Sequence, residues 1–169
     1  PTGMALLDAT HTFVRVNPAF CAMLGYTEDE MKTKTFESVT HPESLLTDVD
    51  SVKKLTNGEY SHYKTEKRYI GKDGRIIWGD ISVVVLRDEA GQVQNYLAMI
   101  ADISERKRIE EALRESEAKY RELVENANTI IMRIDTGARI TYFNEFAQGF
   151  FGYTEQEIIG HSLMETIIP

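Results

Sequence analysis

Residues Glu59–Lys107 read EYSHYKTEKRYIGKDGRIIWGDISVVVLRDEAGQVQNYLAMIADISERK. Two breaks divide the stretch. Asp73-Gly74 is a hairpin signal, because glycine takes a positive φ without steric cost. Glu89-Ala90-Gly91 supplies a second, slightly longer turn. Between the breaks, Tyr60–Ile70, Arg75–Leu86 and Val93–Ile103 are enriched in β-branched and aromatic residues, which predicts three antiparallel strands in a meander. The third strand runs straight into Asp102-Ile103-Ser104-Glu105-Arg106-Lys107, where strand composition becomes charged helix composition. A change in such a sheet can be passed along the helix that follows it.

Upstream, Met4–Asp8 and Phe13–Val16 read as two short strands around Ala9-Thr10-His11-Thr12. Asn17-Pro18 opens a helix, with Asn as cap and Pro at the first helical position, and Gly25 stops it. Thr27-Glu28-Asp29-Glu30 is a capping box. His41-Pro42-Glu43 opens a third helix, which Asn57-Gly58 ends; its predicted apolar face is Leu45, Val49, Val52 and Thr56, with Leu46 beside it. Asp48 and Asp50 read as a solvated polar face. The order predicts an α+β domain, a five-stranded antiparallel sheet with short helices gathered on one face.

Downstream, Gly and Pro vanish and charges dominate from Glu105 to about Asn126. Ile109, Leu113, Ser116, Tyr120, Leu123 and Ala127 are spaced 4, 3, 4, 3, 4, a heptad seam. Glu110–Arg114, Glu115–Lys119 and Glu117–Arg121 are favourable i,i+4 pairs. A helix of about 22 residues is about 33 Å long at 1.5 Å per residue. The seam is narrow, so a parallel two-stranded coiled coil is expected, that is, a homodimer through this linker helix; a helix folded back on its own sheet is the alternative.

The chain then begins again. Gly152-Tyr153-Thr154-Glu155-Gln156-Glu157 echoes Gly25-Tyr26-Thr27-Glu28-Asp29-Glu30, Phe143-Asn144 echoes Val16-Asn17, and Pro169 falls level with Pro42, all at an offset of 127 residues. The expected division is 1–104, a complete module; 105–126, a coiled-coil linker helix; and 127–169, the N-terminal portion of a second module. This half-module lacks the meander. Ile140, Tyr142, Phe143, Phe150, Phe151, Ile158, Leu163, Ile167 and Ile168 are therefore expected to need cover, from a partner chain or from the first module, or else to stay poorly ordered.

Gly58-Glu59-Tyr60, Glu66-Lys67-Arg68-Tyr69, Lys72-Asp73-Gly74, Trp78, Arg87-Asp88, Gly91 and Asp102-Ile103-Ser104-Glu105-Arg106-Lys107, taken together, resemble the C-terminal half of a PAS sensory domain. The resemblance covers residues 3 to 107; the family usually has Thr where Ser104 stands. It implies the same order of elements, with the first two strands in the middle of the sheet. It implies a module of a multi-domain bacterial or archaeal signalling protein, with an output domain such as a histidine kinase or cyclic-dinucleotide enzyme in the parent chain. It also implies that Asp102 ties the last strand to the outgoing helix, making Asp102, Ile103, Ser104 and Arg68 a signal-relay junction; a half-buried Asp needs a cation or N–H donors, for which Arg68 and Lys67 on the neighbouring strands are candidates. The alternative is an ordinary cap, with Ser104 capping the helix and Asp102 facing solvent. A constitutive, ligand-free scaffold is the alternative, and a haem- or flavin-based gas or redox sensor is another.

Chemistry is sparse. No GxxxxGK[ST], GxGxxG or HExxH motif occurs, so catalysis by these residues is not expected. Haem is not expected: His41 reads as a cap, His62 lies on a strand, His11 in a turn, and His161 in the half-module. Flavin photochemistry of the family's light-sensing members needs an Asn-Cys-Arg-Phe-Leu-Gln motif, whereas Cys21 lies in Ala19-Phe20-Cys21-Ala22-Met23. No metal and no cofactor are predicted, and an unidentified small molecule stays open. The pocket candidates are Leu24, Phe36, Val39, Leu46, Val49, Tyr63, Trp78, Ile81, Val83, Leu97 and Met99, which a filled core would use equally well. A net charge of -8 argues against nucleic acid. The longest apolar run, Ile81–Leu86, is too short to span a membrane, and the single Cys fits a reducing compartment, so a cytoplasmic location is expected.

Overall fold

The computed structural model describes residues 1–125 and 127–167. Expectations placed on Asn126, Ile168 and Pro169 lie outside the described residues. The chain divides into two compact units, Pro1–Arg108 and Ile109–Pro169.

The first unit begins with β1 (Gly3–Asp8), β2 (Phe13–Val16), α1 (Pro18–Leu24) and α2 (Glu28–Met31). A 3₁₀ turn at Glu37–Val39 leads into α3 (Pro42–Thr56), followed by the meander β3 (Tyr63–Ile70), β4 (Ile76–Arg87) and β5 (Val93–Asp102). All pairings are antiparallel, in the order β2-β1-β5-β4-β3. The expectation that the first two strands are central is corrected: β5 is central and β2 is an edge. The last strand inserts beside β1 because both of its edges are free to pair, with Leu6 opposite Leu97 and Val84 opposite Leu97 on the other side.

Local chemistry sets the helix ends. The Asn17 side chain accepts from the Phe20 N–H at 3.0 Å and also from the Met4 N–H at 2.9 Å, so one amide caps α1 and holds β1 beside it. Gly25 ends α1 at φ 80°. The α2 capping box forms reciprocally between Thr27 and Glu30.

The core lies between the helices and one sheet face. Alternation along the strands brings Ala5, Leu7, Phe13, Tyr63, Tyr69, Ile77, Ile81, Val83, Tyr96, Ala98 and Ile100 inward against Phe20, Leu24, Met31, Val39, Val52 and Leu55. The buried residues of α3 are Asp48, Val52 and Leu55. This stripe is turned from the predicted one, and Leu46 stands in solvent at 83 % exposure.

α4 (Ser104–Glu125) begins in the first unit and continues into the second; none of its residues is buried among those described. Ile109, Leu113, Tyr120 and Leu123 are all exposed. The second unit continues with β6 (Met132–Ile134), β7 (Ile140–Phe143), α5 (Glu145–Phe151), α6 (Glu155–Ile158) and α7 (Leu163–Thr166). The repeat is visible in its backbone: His11 and Ala138, 127 apart, are the described non-glycine residues with positive φ, at 67° and 58°. Asn144 repeats the work of Asn17, accepting from the Ala147 N–H at 3.1 Å and the Ile131 N–H at 3.0 Å. The half-module buries Ile140, Phe143, Ala147 and Ile158 in a small core of its own, so these do not need outside cover. Phe150, by contrast, is exposed.

Candidate functional site

Two places in the first unit gather polar side chains. One is inside, between α3 and the sheet. The other is outside, where β5 becomes α4.

Inside is a cavity of about 40 Å³. Phe36, Tyr63, Ile81 and Val83, all expected there, are on its wall. Leu24 and Val39 are buried in the adjacent core, and Val49 is half-buried on α3; none of the three is on the wall. Four expected residues point elsewhere. Leu46 is exposed on α3, and Trp78, Leu97 and Met99 lie on the outer sheet face, because the inward residues are Ile77, Gly79, Ile81 and Val83 on β4 and Tyr96, Ala98 and Ile100 on β5. Both faces of β5 carry apolar residues, so composition leaves its parity open.

Of the polar groups of this interior, Tyr63 was expected on the wall, whereas Asp48 was expected in solvent and Lys67 at the junction. Lys67 Nζ donates to Asp48 Oδ2 at 2.6 Å and to Thr40 Oγ1 at 3.0 Å. The Tyr63 hydroxyl donates to Asp48 Oδ1 at 2.7 Å. Asp48, read as solvated, is 2 % exposed, and Lys67 4 %. A buried charge is tolerated only when paired and hydrogen-bonded, as here. Burial pulls the Lys67 ammonium below the ordinary lysine range, against the attraction of Asp48. Burial, the bond to Asp48 and its charge push the Tyr63 phenol up. Lys67 also stands over the rings of Tyr69, at 4.7 Å, and Phe36, at 5.3 Å. Two signals existed in the sequence: Lys67 alternates with Tyr63 and Tyr69, and Asp48 is one helical turn from Val52. His11, in the β1–β2 turn, lines the cavity with its Nδ1 3.1 Å from Glu37 Oε1. Among the described residues no group of three His, Cys, Asp or Glu side chains could hold a metal ion.

At the junction, Trp78 holds the start of α4 through both backbone groups. Its N–H donates to Ser104 Oγ at 2.9 Å, and its carbonyl accepts from the Ile103 N–H at 2.9 Å. Asp102 is exposed; its carboxylate accepts from the Ser104 N–H at 2.9 Å, a local turn at the helix start. The expected pairing of Asp102 with Arg68 or Lys67 is not formed. Lys67 faces inward, and Arg68 reaches Glu43 at the start of α3. The carboxylate that pairs with cations of the helix is Glu66 on β3, 2.6 Å from Arg106 Nη2 and 2.6 Å from Lys107 Nζ. Those two cations hold the Glu66 carboxyl down at about 2. The Trp78 ring lies 5.2 Å from Lys107 Nζ and 5.4 Å from the Arg68 guanidinium carbon.

Glu66, Lys67 and Arg68 are thus consecutive on one strand but serve both faces of the sheet. Successive strand residues point opposite ways, so Lys67 enters the interior while Glu66 and Arg68 stay outside.

A family model described as the PAS fold matches residues 13–100, and a second model of the same description matches residues 118–169. The chain belongs to the PAS family. Among its relatives, the probable diguanylate cyclase DgcE of Escherichia coli is 38 % identical over 109 residues, covering 64 % of this chain and 10 % of that protein. The sensor histidine kinase TmoS of Ectopseudomonas mendocina is 30 % identical over 111 residues, covering 66 % and 11 %. The chain therefore spans about a tenth of the length of these relatives. A sensory box histidine kinase/response regulator structure from Burkholderia thailandensis superposes with a TM-score of 0.57 at 24 % identity, over 72 % of this chain and 92 % of that one, and shares the PAS fold. The two curated relatives named above are thus a probable diguanylate cyclase and a sensor histidine kinase. No helix among the described residues is long and apolar enough to cross a membrane.

Proposed function

We propose that residues 1–108 form the sensory part of a larger cytoplasmic signalling protein, and that they pass a change in the interior along α4 to a downstream kinase or cyclic-dinucleotide output domain. The observation that carries this reading is the Glu66-Lys67-Arg68 triplet. Lys67 ties the strand to Asp48 on α3, and Glu66 ties the same strand to Arg106 and Lys107 on α4. A shift of α3 that moves Lys67 therefore displaces Glu66, its covalent neighbour. The bistable element is the seating of the first turn of α4 on the sheet, which the two ion pairs and the Trp78 bonds bias. Catalysis belongs to the output domain in this reading.

Dimerisation supports the relay. The exposed stripe Ile109, Leu113, Ser116, Tyr120 and Leu123 suits a parallel partner helix from a second copy; Ala127, which the spacing put in the seam, lies past the end of α4 and drops out of it. Exposed Phe150 of the half-module offers further apolar surface.

The test is Glu66→Gln in the full-length parent. The relay reading expects a shifted basal output with the sensory unit still folded; unchanged output counts against it. A ligand-free scaffold is favoured by one observation, the small cavity, well below the roughly 300–1,000 Å³ of ordinary ligand pockets. A haem or flavin would require that cavity to open severalfold.

A further inference from the structure

Asn57-Gly58 closes α3 and is the one Asn-Gly pair in the chain. Residues 57–62 are all exposed, so water reaches both partners. Gly58 has no Cβ to screen its nitrogen, and the space beside it is open: a Cβ built there would meet Arg87 Nη2 at 3.9 Å. Its N–H donates to the Leu55 carbonyl at 3.2 Å, a bond in the last turn of a helix, where ends fray. Among the described residues the Asn57 amide makes one bond, a long one of 3.5 Å from Nδ2 to Glu59 Oε1. The other asparagines of the first unit are held more firmly. Asn17 caps α1 and precedes a proline, which has no N–H, and Asn95 donates to the Leu7 carbonyl at 3.1 Å. Asp73-Gly74 offers an ionised carboxylate instead, a poor target for a nitrogen nucleophile, and the Arg75 N–H already donates to it at 3.1 Å.

We infer that Asn57 is a site of spontaneous modification, at which the Gly58 backbone nitrogen attacks the Asn57 side-chain carbonyl and the main product is isoaspartate. The new bond joins Gly58 N to Asn57 Cγ. The side-chain nitrogen leaves as ammonia, taking up the proton that Gly58 N gives up, and a five-membered succinimide remains. Water then opens the ring. Addition at the former side-chain carbonyl gives aspartate. Addition at the Asn57 backbone carbonyl leaves Gly58 attached through Cγ, which is isoaspartate and puts one extra carbon into the main chain. The Gly58, Glu59 and Tyr60 N–H groups lie beyond that insertion. They now bond to the Leu55 and Lys54 carbonyls at 3.2, 3.0 and 3.4 Å, and they cannot all keep these partners. The change therefore loosens the C-terminal end of α3, the helix that carries Asp48.

The experiment ages the folded 169-residue chain in mildly alkaline buffer and digests it with trypsin beside an unaged sample. The peptide 55–64 is followed by mass and by enzymatic methylation of isoaspartate. The expected result is a gain equal to exchanging NH₂ for OH, with isoaspartate in excess over aspartate, while Asn17, Asn95 and Asn144 stay intact. Amide exchange at Glu59 is expected to quicken in the aged fraction. Asparagine tolerates a left-handed φ, and its side chain screens the backbone nitrogen, so Gly58→Asn should slow the conversion at least tenfold. Asn57→Gln, which would need a six-membered ring, should be inert and serves as the second variant. An Asn57 that converts in urea but not in the folded chain would overturn the proposal. So would aspartate as the sole product, equal conversion at the other asparagines, or a wild-type rate in either variant.

Discussion

Lys67 Nζ on β3 and Asp48 Oδ2 on α3 lie 2.6 Å apart, both side chains almost wholly removed from solvent. A lone buried charge is costly, so each residue holds the other in place, and the helix that roofs the cavity is tied to the strand that floors it. Covalent continuity then links this interior pair to Glu66 on the opposite face.

Lys67→Met strands the Asp48 carboxylate with Tyr63 and no cation. Removing one partner of a buried pair costs about 3–5 kcal/mol, and urea unfolding of the chain measures it. Asp48→Leu combined with Lys67→Met recovers most of that loss. A single variant as mild as a surface substitution would show that the pair is open to water.

The Glu66 carboxyl is depressed from 4.5 to about 2, so its interaction with Arg106 and Lys107 is fully present above the unfolded carboxyl's pKa. It is lost as pH falls from about 4.5 through about 2. Trp78, the sole tryptophan, stands beside Lys107, so its fluorescence should change across that window in the native protein. Glu66→Gln should abolish the transition. A transition that persists in that variant would assign it to another carboxylate.

Gly79 is a packing requirement. A Cβ there would sit 2.6 Å from Tyr69 Cε2 and 3.0 Å from Ile100 Cγ2. Gly79→Ala should destabilise the chain by about 1–3 kcal/mol, as overpacked cores are, with a lowered denaturation midpoint. Gly91→Ala, in open space but at φ 79°, tests backbone strain separately.

Leu113→Asp changes an exposed residue of α4, so the fold should keep its stability to within about 0.5 kcal/mol. If the stripe is a dimer seam, native mass spectrometry should show the wild-type chain as a dimer and the variant as a monomer. A monomeric wild type would remove the seam from the relay.

The meander, the helix caps, the repeat and the linker helix were legible in the sequence because each rests on neighbours within a few residues. Asp73-Gly74 makes its turn, Asn17 caps its helix, and the 127-residue offset returns both Asn17 and His11 backbone geometry in the second copy. The strand order was not legible, since β5 could pair on either side. Nor was the site. Leu97 and Met99 look like core, yet only pairing with β1 and β4 decides that Ala98 and Ile100 face inward. Asp102 sits in the motif that suggests a tether, while Glu66, 36 positions earlier, makes the ion pairs to the helix. By itself the sequence determined which segments are strands and helices and where they stop, because those choices are local. Which face each strand turns inward, and which charges then find each other, only the tertiary structure decided, because burial makes an unpaired charge costly and leaves Asp48 and Lys67 as each other's counter-charge.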